Sequence, residues 1–189
     1  MAAPAGGRPR PDEVERVLAE ADRLYSREEV LAAIDRLAAE ITQRLGASDP
    51  VVLCVMNGAL IPAGYLLTRL HFPLQVDYLH ATRYRGATRG GELHWRVRPE
   101  LDLAGRSVLV VDDILDEGLT LAAILQHCRA QGAAEVLSCV LVRKHHDRGN
   151  GVEADFVGLE VGDRYVFGFG MDYKGYLRNA DGIYAVKGL

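Results

Sequence analysis

Four apolar residues, Val108 to Val111, deliver the chain to two adjacent aspartates, Asp112 and Asp113. The string Asp116-Glu117-Gly118-Leu119-Thr120 then turns into a segment of helical pattern. Each part has a chemical use. A helix N-terminus carries unpaired N–H groups and positive dipole, so it accepts a phosphate readily. Gly118 lets the backbone come close to the anion, and Thr120 adds a hydroxyl. The paired carboxylates would repel a phosphate at contact range. They suit the two hydroxyls of a ribose, or a Mg²⁺ that holds a pyrophosphate. Glu117 is expected to point away and offer only its backbone N–H. An ordinary turn between strand and helix with an acidic loop is the plain alternative, since buried strands often end in Asp.

The elements that must position these residues follow from the apolar pattern. A first helix is expected from Pro11 to Leu24. Ser26 and Glu29 then form a capping box, with Val30, Ile34, Leu37, Ile41 and Leu45 at helical spacing and Gly46 as the stop. This helix pair reads as core packing rather than chemistry. Val51–Met56 and Ser107–Val111 are apolar and β-rich without alternation, as strands buried on both faces are, and Glu135–Val142 reads as another buried strand. Leu74–Ala81 and Leu93–Val97 read as further strands, Leu60–Leu70 and Thr120–Gln131 as helices. Alternating strands and helices imply an α/β domain, a parallel sheet flanked by helices, with ligands beyond the carboxyl ends of the strands. The residues after Met56, Val111 and Val142 are therefore the ones to read for function.

The bulk numbers bound the answer. A chain of 189 residues, 49% hydrophobic and 25% charged, is sized and composed for one globular domain. A formal net charge of -4 argues against non-specific nucleic-acid binding, and no apolar run is long enough to span a membrane. The N-terminal Ala-, Gly- and Pro-rich residues 1–10 are expected to be a disordered tail, ahead of a single domain over 11–189. Cys54, Cys128 and Cys139 sit inside apolar runs with no C-x-x-C pair, which suits reduced thiols in a cytoplasmic protein.

The whole string VLVVDDILDEGLTLAAI, Val108–Ile124, resembles the phosphoribosyl pyrophosphate signature of the type I phosphoribosyltransferases. The resemblance covers almost everything after Asp49 and is nearest to the bacterial-like hypoxanthine-guanine phosphoribosyltransferases. It implies that fold, with a small hood built from the chain ends over a core at 50–142. Residues 11–46 would supply N-terminal helices, and 143–189 the base-binding hood and pyrophosphate contacts. It implies that Asp112 and Asp113 hold the ribose hydroxyls, and that Asp116, Glu117, Gly118, Leu119 and Thr120 bind the 5′-phosphate. Met56-Asn57-Gly58 matches a pyrophosphate loop that often contains a non-proline cis peptide, with Asn57 where the family usually has Lys. Arg83-Tyr84 resembles the start of a mobile loop that closes the active site; a plain hairpin loop is the alternative.

The remaining site residues are likewise implied by resemblance. Lys144 matches the donor to the purine 6-oxo group, and Tyr165 the ring that stacks on the base. Val166 would meet the base edge through its backbone. Asp172, bordering the base, matches a carboxylate on Mg²⁺, and Asp112 and Asp113 are the other candidate metal ligands. Arg178 matches the guanidinium that grips pyrophosphate. His145 and His146 invite a metal reading, but no acidic or Cys partner stands near in sequence, so exposed loop histidines are expected.

The implied reaction moves 5-phosphoribose from phosphoribosyl pyrophosphate to N9 of hypoxanthine or guanine, with Mg²⁺ as cofactor. The products would be IMP or GMP and pyrophosphate, as in purine salvage. Asp116, as general base near N7, Lys144 and Arg178 are the candidate catalytic residues. A homodimer or homotetramer is implied by the same resemblance. Two alternatives stand beside it: a xanthine-preferring relative, and an RNA-binding regulator on the same fold, against which the acidic balance speaks.

Overall fold

The computed structural model describes residues 8–83, 93–149 and 151–189. At its centre is β2 (Val51–Val55), all five residues buried. It pairs in parallel with β3 (Gln75–Arg83) on one edge and β5 (Ser107–Leu115) on the other. β6 (Glu135–Lys144) and β7 (Phe156–Val161) extend the parallel sheet beyond β5, and β4 (Leu93–Val97) closes the other edge antiparallel to β3. The strand order is β4-β3-β2-β5-β6-β7.

Why the central strands are apolar without alternation is visible in the packing. Val52, Cys54, Leu109, Val111, Cys139 and Leu141 join a core with α2 (Arg27–Leu45) and α3 (Leu60–Leu67). Their neighbours Val51, Leu53, Val55, Val108, Val110 and Val140 join a second core with α4 (Leu119–Ala130). Successive side chains of a strand point to opposite faces, so a sheet covered on both sides needs apolar residues at every position. The cysteines are part of this packing. Burial pushes their thiols up, to about 11 at Cys54 and Cys128 and about 12 at Cys139, which keeps them unreactive.

Several expected boundaries shift. The capping box forms as expected: the Ser26 hydroxyl accepts from the Glu29 N–H at 3.3 Å, and the Glu29 carboxylate accepts from the Ser26 N–H at 2.8 Å. The first helix, α1 (Pro11–Glu20), stops short of Leu24, because Asp22–Tyr25 is a strand, β1, paired antiparallel with β9 (Ile183–Ala185). With β8 (Val166–Phe167), these form a three-stranded hood, β1-β9-β8, around Phe167, Tyr173 and Val186. β7 is a strand that the apolar pattern did not announce. α3 ends at Leu67 rather than Leu70. β5 and β6 run past their apolar stretches, so Asp112, Asp113 and Lys144 are strand residues; the ladder pairs Asp112 with Val140 and Leu115 with Arg143. Of the expected tail, residues 1–7 lie outside the described residues, while Pro9 is buried and the Arg8 side chain donates to the Tyr176 hydroxyl. No helix among the described residues is long and apolar enough to cross a membrane.

Candidate active site

Many of the expected residues lie at the carboxyl ends of β2, β5 and β6. Asp112 and Asp113 occupy the last turnless stretch of β5, and residues 116–118 lead into α4. Gly118 caps the helix at φ 77°, in the left-handed region that costs a side chain 1–2 kcal/mol (roughly) and glycine almost nothing. The first helical bond runs from the Ala122 N–H to the Gly118 carbonyl at 2.9 Å. The N–H groups of the preceding turn therefore have no helical acceptor and face the loop. Glu117 is exposed, with the positive charge of Arg148 acting on it.

Asp112 and Asp113 form a strained electrostatic pair. Burial, and then the neighbouring Asp113 charge, hold the Asp112 carboxyl well above the usual carboxylate range. Burial also raises Asp113, while a hydrogen bond with Asp112 and the Arg178 guanidinium pull it back. Two carboxyls disfavoured as anions gain most from a partner that supplies positive charge or hydroxyl donors. Among the described residues, no group of three or more His, Cys, Asp or Glu side chains makes a ready metal cage. Asp112, Asp113 and Asp172 instead offer carboxylate oxygens from two separate segments, the kind of ligand with which Mg²⁺ is held when substrate phosphates complete its shell. The residues fit the ion on that chemistry.

A second group lies against Asp113. The Met56–Asn57 peptide after β2 is cis. A Cβ on Gly58 would stand 2.2 Å from Asp113 Oδ2, and a Cβ on Gly170, at φ 109°, would stand 2.2 Å from the Gly58 carbonyl oxygen. Two loops and a strand thus meet where no side chain fits. Arg178 donates to the Gly170 carbonyl, pairs with Asp172 Oδ1 at 2.6 Å and reaches 3.8 Å from Asp113 Oδ2. Asp172 Oδ2 accepts the Gly175 N–H at 2.6 Å. This loop is also braced from α1: Glu13 accepts from Tyr173 Oη at 3.2 Å and from Lys174 Nζ at 3.0 Å. The first helix, expected only to pack, supports the site through that contact.

The third group surrounds Asp116. Lys144 Nζ lies 3.3 Å from its Oδ2, and His146 Nε2 lies 2.6 Å from its Oδ1. Lys144 is 9% exposed and His146 only 4%. The expectation of two exposed loop histidines is therefore corrected. His145 is exposed and pairs with Glu160, but His146 is buried on the very carboxylate proposed as base. Its position two residues after Lys144 was the available signal. Tyr165 is half-buried, its ring 5.7 Å edge-on from Tyr173, and Val166 is buried in β8 opposite Ala185.

The structure thus brings together Gly58, Asp112, Asp113, Asp172 and Arg178, and beside them Asp116, Lys144 and His146. The Asn57 side chain is exposed and joins neither group by any hydrogen bond or ion pair among the described residues. Arg83 ends β3, and Tyr84 lies outside the described residues.

Comparison with known proteins agrees with this geometry. Residues 20–174 match the phosphoribosyl transferase domain family. The hypoxanthine-guanine-xanthine phosphoribosyltransferase of Tritrichomonas foetus is 34% identical over 172 residues, 90% of this chain and 91% of its own. The hypoxanthine-guanine phosphoribosyltransferase of Bacillus subtilis is 32% identical over 167 residues, 87% of this chain and 92% of its own. A hypoxanthine phosphoribosyltransferase structure from Staphylococcus aureus superposes with a TM-score of 0.84 at 25% identity, covering 88% of this chain and 91% of that one. With a parallel sheet, an acidic strand end, a glycine-capped helix start and a hood from both ends of the sequence, the chain belongs to the type I phosphoribosyltransferases, on their hypoxanthine-guanine branch.

Proposed function

We propose that this enzyme transfers 5-phosphoribose from phosphoribosyl pyrophosphate to N9 of a 6-oxopurine, hypoxanthine or guanine, and releases pyrophosphate. The carrying observation is the contact of Lys144 with Asp116, a donor at the end of β6 and an acceptor just after β5, side by side. A 6-oxopurine presents the matching edge, an acceptor at O6 and a donor at N7–H. Lys144 donates to O6, since an ammonium has no acceptor to offer. Asp116 Oδ2 takes the N7–H, and as the C1–N9 bond forms the proton passes to that carboxylate. Tyr165 stacks on the ring, Val166 meets its edge through the backbone, and Asp172 borders it.

At the other end, the N–H groups from Glu117 to Thr120 and the Thr120 hydroxyl hold the 5′-phosphate. Asp112 and Asp113 accept from the ribose hydroxyls, which fixes C1 in line with N9. The backbone of Asn57 and Gly58 and the Arg178 guanidinium receive the departing pyrophosphate, whose charge develops as its bond to C1 breaks. Arg83 and Tyr84 join in binding phosphoribosyl pyrophosphate, on the family resemblance. Asp172, Asp112 or Asp113, together with the phosphates, would hold Mg²⁺, which would supply charge neutralisation for the leaving group. The test is direct: pyrophosphate release measured with phosphoribosyl pyrophosphate and Mg²⁺, with each of hypoxanthine, guanine, xanthine and adenine in turn. Base-dependent release with the 6-oxopurines and not with adenine is expected; release independent of added base, or none, refutes the reading.

A further inference from the structure

We propose that His146 is a positioning residue for Asp116: it braces one carboxylate oxygen so that the other faces the purine once Lys144 leaves it for the base. The inference rests on the phosphoribosyl transfer reading and adds a residue to it.

The ring's two nitrogens have different partners. Nδ1 accepts the Arg148 backbone N–H at 3.1 Å. A ring nitrogen that accepts a hydrogen bond carries no proton, so the ring proton sits on Nε2 and is donated to Asp116 Oδ1 at 2.6 Å. The segment that supplies the Arg148 amide is itself anchored, because the Arg148 guanidinium grips Asp163 with two bonds, at 2.6 and 2.7 Å. The ring is enclosed and both nitrogens are engaged, so it has no second orientation in which these bonds survive.

The two donors to Asp116 differ in what substrate does to them. Lys144 is pulled away by the O6 acceptor, and its 3.3 Å contact is the longer of the two. Nothing in the base competes for His146. The Asp116 side chain is 34% exposed and sits in a loop, so without the brace its carboxylate has other staggered rotamers open to it. His146 cannot take the purine proton onward, since Nε2 already carries one and Nδ1 is occupied. Its contribution is orientation.

The test uses the full-length enzyme, the wild type first. His146→Leu keeps the bulk and removes the donor. With hypoxanthine, kcat should fall about 10- to 100-fold, the range for a lost hydrogen bond to a charged group, while KM for phosphoribosyl pyrophosphate stays within about 2-fold. His146→Gln, whose amide nitrogen reaches the Nε2 position, should recover most of the loss. Nitrogen-15 NMR of the histidine-labelled wild type should show the His146 proton on Nε2 without any substrate. A His146→Leu enzyme at the wild-type kcat, a Gln variant no better than Leu, or a ring proton on Nδ1 would each overturn the proposal. A wild type that releases no pyrophosphate with any purine overturns the transfer reading instead, a distinct result.

Discussion

Gly58→Ala tests the close packing at the pyrophosphate end. A Cβ there would lie 2.2 Å from Asp113 Oδ2, 2.3 Å from its Cγ and 2.6 Å from Oδ1, against the flat of the carboxylate. Turning the carboxylate about its own axis does not clear the methyl, because the carboxyl carbon is itself in the way. Ordinary contact begins near 3.4 Å, so Asp113 or the loop must move by roughly 1 Å, and a displacement of that size costs an active site about 10²-fold. The damage should fall on one substrate. KM for phosphoribosyl pyrophosphate, or kcat over that KM, should worsen ~10- to 100-fold, with KM for hypoxanthine within a few-fold. Thermal unfolding should register the crowding as a loss of ~1–3 kcal/mol. Steady-state titration of each substrate at saturation of the other separates the two. In a double-mutant cycle, Asp113→Ala should absorb most of the Gly58→Ala penalty, because the pair is in contact. Full additivity, or an unchanged response to phosphoribosyl pyrophosphate, would refute the packing argument.

Three further outcomes are expected. Lys144→Ala should cripple hypoxanthine use and narrow its margin over adenine, which in the wild type is on the order of 10⁴-fold when a site requires one hydrogen bond; comparable wild-type rates on both bases would discard the role of Lys144. Asp172→Ala and Arg178→Ala should each raise the Mg²⁺ or pyrophosphate requirement more than the purine requirement, and separate titrations that found a purine-only defect would contradict this. Asp112→Asn should raise the melting temperature of the metal-free enzyme in EDTA at pH 8. The folded carboxyl is held above its unfolded range, so wild-type stability drains away as pH rises through the folded value and is restored on acidification. The advantage of the variant should therefore shrink as pH falls, and an advantage that grew in acid would reverse the argument.

What the residues disclosed by themselves follows the range of the interactions. The run from Val108 to Thr120 was legible because strand, acidic pair and helix start are all local, although the acidic pair left ribose hydroxyls and Mg²⁺ both open. The buried strands β2, β5 and β6 declared themselves by lacking alternation. β1 did not, because Asp22–Tyr25 becomes a strand only by pairing with β9 at the far end of the sequence. β7 was hidden partly by Gly158, which reads as a breaker, yet a Cβ there would meet the Leu141 carbonyl at 2.6 Å, so glycine is what lets the strand approach β6. His146 was misjudged for a similar reason. Its acidic partner is not near in sequence; it is Asp116, 30 residues away. The alignment of Asp172 with Arg178 came from family resemblance, and no periodicity would have supplied it.

The meeting of Gly58 with Gly170 has a mechanical consequence. There the hood and the sheet touch main chain to main chain, with no side chain between them to change rotamer, so that joint behaves as a weld. Around Asp116 the partners are side-chain tips, Lys144 Nζ and the His146 ring, which meet through hydrogen bonds rather than through main chain. One joint of the site is backbone and the other is side chain. On the proposed transfer reading, the pyrophosphate end is therefore shaped by backbone that a point substitution can only break, whereas the base end is lined by side chains that a single exchange can retune.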